Sequence, residues 1–499
     1  MGSDPTAPVY VANDIAYYES GMDFTYGEGT EADAHSPEEA AAHSVVHITQ
    51  PGTYALSGKL SLGQIAVDLG EDAKKDPDAV VNLVLNGVDI TCEVAPAVIF
   101  YNVYECGSDN AEEATKDVDT SAAGANVIIA DGTVNNVTGS YVARIYKPDS
   151  VVLSEDGTEV EEAKKLHKYD AAFYSKRTMN VFGGAENTGV LNILAENEGL
   201  DSELHLTING SNINIASGND GINTNEDGIS VTTINGGNLA IRVTGETGEG
   251  DGIDSNGWLV INGGTVMAAA CSFSADSGID SDMGIHINGG TVLATGSMLD
   301  SIENGGQNYA MFNFAQRQNG GETLTLVDQN DNAILEVACP NAYSILVFSS
   351  PELKAGTYTL WSDGVQLAGS AGGMMGGFGG GRGPGGNRGQ MGERPSDFGG
   401  FTPPEGGIFP EGFTPGEDFQ MPEGDWSPEN FEWPQGDWSD EGVIWSDEGV
   451  EWSDENLERP EGSRPSRGNR GDFGGSFAGE VSTEFNIVDG GNQFSVTFA

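Results

Sequence analysis

Between residues 205 and 296, apolar and polar side chains alternate in short bursts, and each burst ends at a corner rich in Asn and Gly. Four anchors mark the corners: Ile208-Asn209-Gly210, Ile234-Asn235-Gly236-Gly237, Ile261-Asn262-Gly263-Gly264 and Ile287-Asn288-Gly289-Gly290, spaced 26, 27 and 26 residues apart. Four positions beyond each Asn stand Ile213, Leu239, Val266 and Val292, and two further on stand Ile215, Ile241, Ala268 and Ala294. Alternation with period two, in apolar segments broken by glycine, predicts strands with one buried face rather than helices. Repeats of this length, each carrying two or three strands, predict a parallel β-helix, with equivalent residues stacked about 4.8 Å apart. Stacking would turn the four Asn anchors into an amide ladder.

Weaker alternation precedes the repeats, in PGTYALSGKLSLGQIAVDL, VVNLVLNGVDIT and NVIIADGTVNNVTG. The polar stretches 107–124 and 147–168 read as loops leaving the stack. Ser36-Pro37-Glu38-Glu39, followed by alanines, has the form of a capping box with Pro at the first helical position and predicts a short helix. Residues 322–368 read as an antiparallel cap, and 483–498 resume strand alternation. The expected organisation is an N-terminal segment over 1–43 and the β-helix over 44–320. A cap built from 321–369 and 481–499 follows, interrupted by a low-complexity insertion over 370–480. The insertion is rich in Gly, Pro, acids and Trp, and cannot bury enough apolar surface to offset its chain entropy, so disorder is expected. Within it, WSDE recurs at Trp438, Trp445 and Trp452, making 426–455 a candidate segment for a cell-wall or protein partner.

Charge narrows the function. The 499 residues carry a formal charge of -56, which excludes unaided attraction to nucleic acid or anionic membrane and favours cations as counter-ions. No apolar run is long enough to insert in a membrane. The chain opens MGSDPTAP, without the apolar run of a secretory leader, so either the protein is cytosolic or the expected extracellular or cell-surface location requires a signal outside this sequence. Cys92, Cys106, Cys271 and Cys339 lack metal-site spacing; Cys92 with Cys106 is a candidate disulfide, and buried free thiols are the alternative.

The candidate chemistry lies in the acids. Asp220-Gly221-Ile222-Asn223, Asp251-Gly252-Ile253-Asp254 and Ser277-Gly278-Ile279-Asp280 occupy one phase of successive repeats. Stacked carboxylates repel one another, and Ca²⁺, with six to eight oxygen ligands, would neutralise them. Asp276, Asp282, Asp300, Asp227 and Glu303 add further oxygens nearby. Asp-Gly turns that merely face solvent are the competing reading. Trp258, outward in phase at the start of Leu259-Val260-Ile261, is a candidate platform for a sugar face, and Arg242 a candidate ligand-binding cation.

These segments resemble the bacterial cell-surface carbohydrate-binding β-helix domain family found in cellulolytic clostridia, which is similar in architecture to pectate lyases. The resemblance is carried by PGTYALSGKLSLGQIAVD, VNLVLNGVDIT, GNDGIN, GDGIDS, the INGGTV repeats and SSPELKAGTYTL, over roughly 44–369 and the final strand. It implies a right-handed parallel β-helix that holds several Ca²⁺ ions and attaches, without catalysis, to polysaccharides such as cellulose and pectin. It carries calcium ligation onto Asp220, Asp251, Asp254 and Asp280; at 277 Ser replaces the family's Asp, and Asp276 is the substitute. A calcium-dependent pectate lyase and a surface adhesin are the alternatives. A lyase would need an Arg or Lys beside the carboxylates, and between 201 and 310 Arg242 is the only Lys or Arg.

Overall fold

The computed structural model describes residues 2–15, 35–142, 152–153, 160–162, 169–245, 248–372 and 481–498. Most of the low-complexity insertion, including the Trp/acidic segment 426–455, lies outside the described residues, as does most of 147–168.

The described chain is nearly all β. Its one α-helix among the described residues, α1 (Pro37–Ala42), starts where the capping box predicts. Glu39 N–H donates to Ser36 Oγ, and Ser36 N–H donates to Glu39 Oε2 at 2.7 Å. Repeats stack in parallel with the register that the anchors suggest: Ile208 lies beside Ile234, Ile234 beside Ile261, and Ile261 beside Ile287. The Asn anchors bond in series, each Nδ2 donating to the preceding Oδ1 at 2.8–2.9 Å, from Asn288 through Asn262 and Asn235 to Asn209. At the second Gly of each anchor pair the backbone turns left-handed, as at Gly264 with φ 81°, a conformation that disfavours any side chain.

The strand pairings correct one expectation. Strands Val81–Thr91, Ala125–Ile129, Met179–Gly183, His205–Ser217, Val190–Ala195 and Val134–Gly139 pair in parallel, each with the next and the last with the first. The result is a closed six-stranded parallel barrel with flanking sheets, in place of the expected right-handed parallel β-helix solenoid. Closure follows from two long strands. Val81–Thr91 and His205–Ser217 each span a corner, near Gly87 and near Gly210-Ser211, so their two halves bond different neighbours and the ladder returns on itself.

A second sheet runs along one side. After an antiparallel edge strand, Val9–Ala12, come the parallel strands Ser44–Ile48, Gly63–Asp68, Val98–Asn102, Ala171–Ser175, Glu198–Ser202, Ile222–Thr224 and Ile253–Ser255. Its inner column of Ile65, Val98, Phe173, Leu200, Ile222, Ile253 and Ile279 is fully or almost fully buried in the main core. Residues 107–124 contain no strand and are mostly exposed, as expected of a loop, but the segment is tied back to the barrel at Thr120. Asn180 Nδ2 donates to Thr120 O and Thr120 Oγ1 to Thr207 Oγ1, both at 2.8 Å, strapping the segment over the barrel's outer side.

The last parallel strand, Thr291–Gly296, is met antiparallel by Tyr343–Ser349. Tyr343–Ser349 pairs with Tyr309–Gln318, which runs parallel to Gly491–Phe498, while Phe485–Ile487 joins Gly356–Ser362. Outward residues Ala240, Met267 and Leu293 are buried in a second apolar cluster with Phe312, Leu346, Phe348 and Phe494. Cys92, Cys271 and Cys339 are buried and Cys106 half-buried, all as free thiols. Burial pushes the Cys92 thiol up to about 12.

Candidate functional site

Parallel pairing fixes where the acids stand. One register position of the second sheet carries Tyr174, Asp201, Asn223 and Asp254 on neighbouring strands. Asp280 continues the column, because its N–H donates to Ile253 O and its carbonyl accepts from Ser255 N–H. A second column, three residues earlier on each strand, carries Glu198, Asp220, Asp251 and Ser277, joined by Gly199 N–H to Asp220 O, Gly221 N–H to Asp251 O and Gly252 N–H to Ser277 O. A third column on the far side places Glu203, Asn225, Asn256 and Asp282 in sequence.

Glycine between the first two columns lets the repeats approach. A Cβ at Gly199 would strike Gly221 O, one at Gly221 would strike Gly252 O, and one at Gly252 would strike Gly278 O. The Gly of each Asp-Gly pair is thus set by contact between neighbouring repeats, with no left-handed turn required.

Within the columns, side chains link successive repeats. Asp251 N–H donates to Asp220 Oδ1 at 2.6 Å, Ser277 N–H to Asp251 Oδ1 at 2.5 Å, and Gly250 N–H to Asp276 Oδ2 at 2.7 Å. Asn225 Nδ2 donates to Asp201 Oδ1 at 2.5 Å, and Asn223 Nδ2 to Glu198 Oε1 at 3.3 Å. One oxygen each of Asp220, Asp251 and Asp276 therefore accepts from the main chain of an adjacent repeat, rather than within its own turn at the solvent surface. Other oxygens stay open: Asn223 Oδ1 and Asp280 Oδ1 are buried and accept no hydrogen bond.

Crowding raises the carboxyl pKa values. Burial, then the neighbouring Asp254 and Glu198, hold Asp220 well above the usual carboxylate range; burial, then Asp220 and Asp280, do the same for Asp251. Burial, with Asp300 and Asp282 next in effect, lifts Asp280 to about 7. Asp300, half-buried, is raised by burial and by Asp282.

Sequence reasoning overlooked Glu198 and Asp201. The signal was present, since Glu198-Gly199-Leu200-Asp201-Ser202 repeats Asp251-Gly252-Ile253-Asp254-Ser255 with like replacing like. Its anchor, Asn209-Gly210-Ser211, lacks the second glycine, and the spacing to Asp220 is shorter than the repeat, which concealed it.

The two candidate ligand residues lie elsewhere. Trp258 is half-buried at the start of strand Trp258–Ile261, around the Asn256-Gly257 corner from Asp254, with its carbonyl accepting from Ser255 Oγ. Arg242 is half-buried at the cap, where its Nε donates to Asn341 Oδ1 at 3.1 Å. Asn341 in turn donates to Val243 O and Ala270 O, both at 2.7 Å.

Oxygen-only donors favour a hard cation such as Ca²⁺ over a softer metal. Among the described residues, no three His, Cys, Asp or Glu side chains converge into a ready-made metal cage. The fit therefore rests on donor chemistry, including amide and main-chain oxygens, and on the buried acceptors Asn223 Oδ1 and Asp280 Oδ1.

A nearly all-β protein with an ordered acidic face is the class that fold and site define. Residues 42–311 match the family described as carbohydrate-binding domain-containing protein, and the chain belongs to that family. Among solved structures, a gadolinium derivative of the polysaccharide lyase-like protein from C. thermocellum is similar over 51% of this chain and 81% of its own, with 23% identity and a TM-score of 0.33. No curated protein matches the chain.

Proposed function

We propose that this protein is a non-catalytic, calcium-dependent binder of plant cell-wall polysaccharide, cellulose or pectin, working outside the cell or at its surface. The family makes carbohydrate the ligand class. Calcium is inferred from the in-register column Asp201, Asn223, Asp254 and Asp280, with buried acceptors at Asn223 and Asp280. Asp220, Asp251 and Glu198 would supply oxygens from the second column, with Asp276, Asp282 and Asp300 at its end. When bound, Ca²⁺ would neutralise the columns and offer coordination sites to a uronate carboxylate, so that a strongly acidic protein can hold an acidic polymer. The lyase alternative is disfavoured by Arg242, which is engaged by Asn341 at the cap.

The test is thermal unfolding of metal-stripped full-length protein with Ca²⁺ or Mg²⁺, followed by binding to polygalacturonate and cellulose. A rise specific to Ca²⁺, with polygalacturonate retained only in its presence, is expected. No calcium effect on either readout would remove calcium from the function. Unsaturated sugar products accumulating from polygalacturonate would replace binding with lyase chemistry.

A further inference from the structure

Phe273 is 79% exposed, more than any other large apolar side chain among the described residues. It lies on the short loop between strand Thr265–Ala269 and Asp276, beside the end of the acidic columns. The loop is held from both sides. Phe273 N–H donates to Cys271 Sγ at 3.3 Å, and Ser274 Oγ donates to Asp276 Oδ2. One edge of the ring lies over Gly245, where an added Cβ would meet both Cys271 Sγ and Phe273 Cδ2.

Arg317, exposed on cap strand Tyr309–Gln318, is fastened to the same loop. Its Nη2 donates to Ser272 O and to Ala342 O, while Ala342 N–H donates to Ser272 Oγ at 3.1 Å. Both of these contacts use Nη2, which leaves Nε and Nη1 uncommitted among the described residues. A guanidinium fixed in this way is pre-organised to receive a carboxylate, and an open aromatic face suits the apolar face of a sugar ring. In a chain of formal charge -56, an exposed Arg fastened to the loop that carries an exposed Phe is also the complement of an anionic ligand.

We propose that Phe273 and Arg317 form a subsite for one acidic sugar residue, the ring stacking on Phe273 and the carboxylate pairing with Arg317. The subsite rests on the reading of the protein as a polysaccharide binder and selects uronate over neutral sugar within it. A polymer seated here continues past Asp276 onto the acidic columns.

Affinity electrophoresis of the full chain in saturating Ca²⁺ tests this, using polygalacturonate and its methyl-esterified form, which share a backbone and differ in charge. Phe273→Ala is expected to weaken retention by both polymers about tenfold. Arg317→Gln is expected to weaken only the charged polymer and abolish the preference, with Arg317→Lys restoring part of it. Unchanged retention of both variants, while wild type binds, overturns the subsite and leaves the binding function standing. Equal loss on both polymers by Arg317→Gln, with a lowered Tm, makes Arg317 a structural clamp and also overturns it. Failure of the wild type to bind either polymer removes the binding function and the subsite together.

Discussion

At the scale of single residues, the acids dictate how the protein answers pH. Asp280, raised to about 7 from 3.8 chiefly by burial, holds a proton in the folded state that the unfolded chain has already released, and Asp220 and Asp251 shift the same way. Stability then falls as pH rises, because the folded state binds the extra protons. In metal-free protein the stability contributed by these three acids should be fully present below about 4 and fade as pH rises, Asp280's share being lost through about 7, where it ionises. Asp280→Asn should flatten part of this decline and raise the Tm of the metal-free protein above neutrality, while shrinking the rise caused by Ca²⁺. Melts across that range check both; a slope identical to wild type would mean that Asp280 is solvated. Legibility in the sequence was uneven at this scale. Asp254 and Asp280 could be read from repeated Gly-Ile-Asp-Ser, whereas Asp201 was hidden by a single Ile-to-Leu change and a shortened spacing.

Between elements, the contacts that matter are those of backbone with backbone. Gly252→Ala would drive a methyl into Gly278 O and Ala268 Cβ on adjoining segments, so it should destabilise by about 1–3 kcal/mol and also disturb the acid register. A reduced response to Ca²⁺ in that variant, measured beside its Tm, would separate the register effect from simple loss of stability. Asn341, almost fully buried, joins the cap to the repeats through Val243 O, Ala270 O and Arg242. Asn341→Ala leaves those groups without their partner and should cost about 2 kcal/mol by denaturant unfolding. No pattern around Asn341 marks it as a clamp, because its partners lie 71 to 99 residues away in the chain.

For the whole molecule, the formal charge of -56 sets the energetic problem that any function must solve. A cation that binds only the folded state stabilises it by about 2.7 kcal/mol at a hundredfold excess over Kd, which for a protein of this size is a shift of a few degrees in Tm. The same shift should survive high NaCl if the ion is held by buried oxygens, and vanish if it merely screens the surface. Melts in Ca²⁺ with and without NaCl distinguish the two.

The sequence by itself determined the β class, the repeat register, the helix at Pro37–Ala42 and the stacking of Asn209, Asn235, Asn262 and Asn288. Those features depend on local periodicity and on residues that recur at one interval, and both are written along the chain. Only the tertiary structure decided the closed six-stranded barrel, the burial of Ala240, Met267 and Leu293 beneath the cap, and the fastening of Arg317 to Ser272, next to Phe273 in the chain. These depend on where long strands bend and which distant segments then touch. Alternation tells which face of a strand is apolar, but a face that points away from one core can be claimed by another.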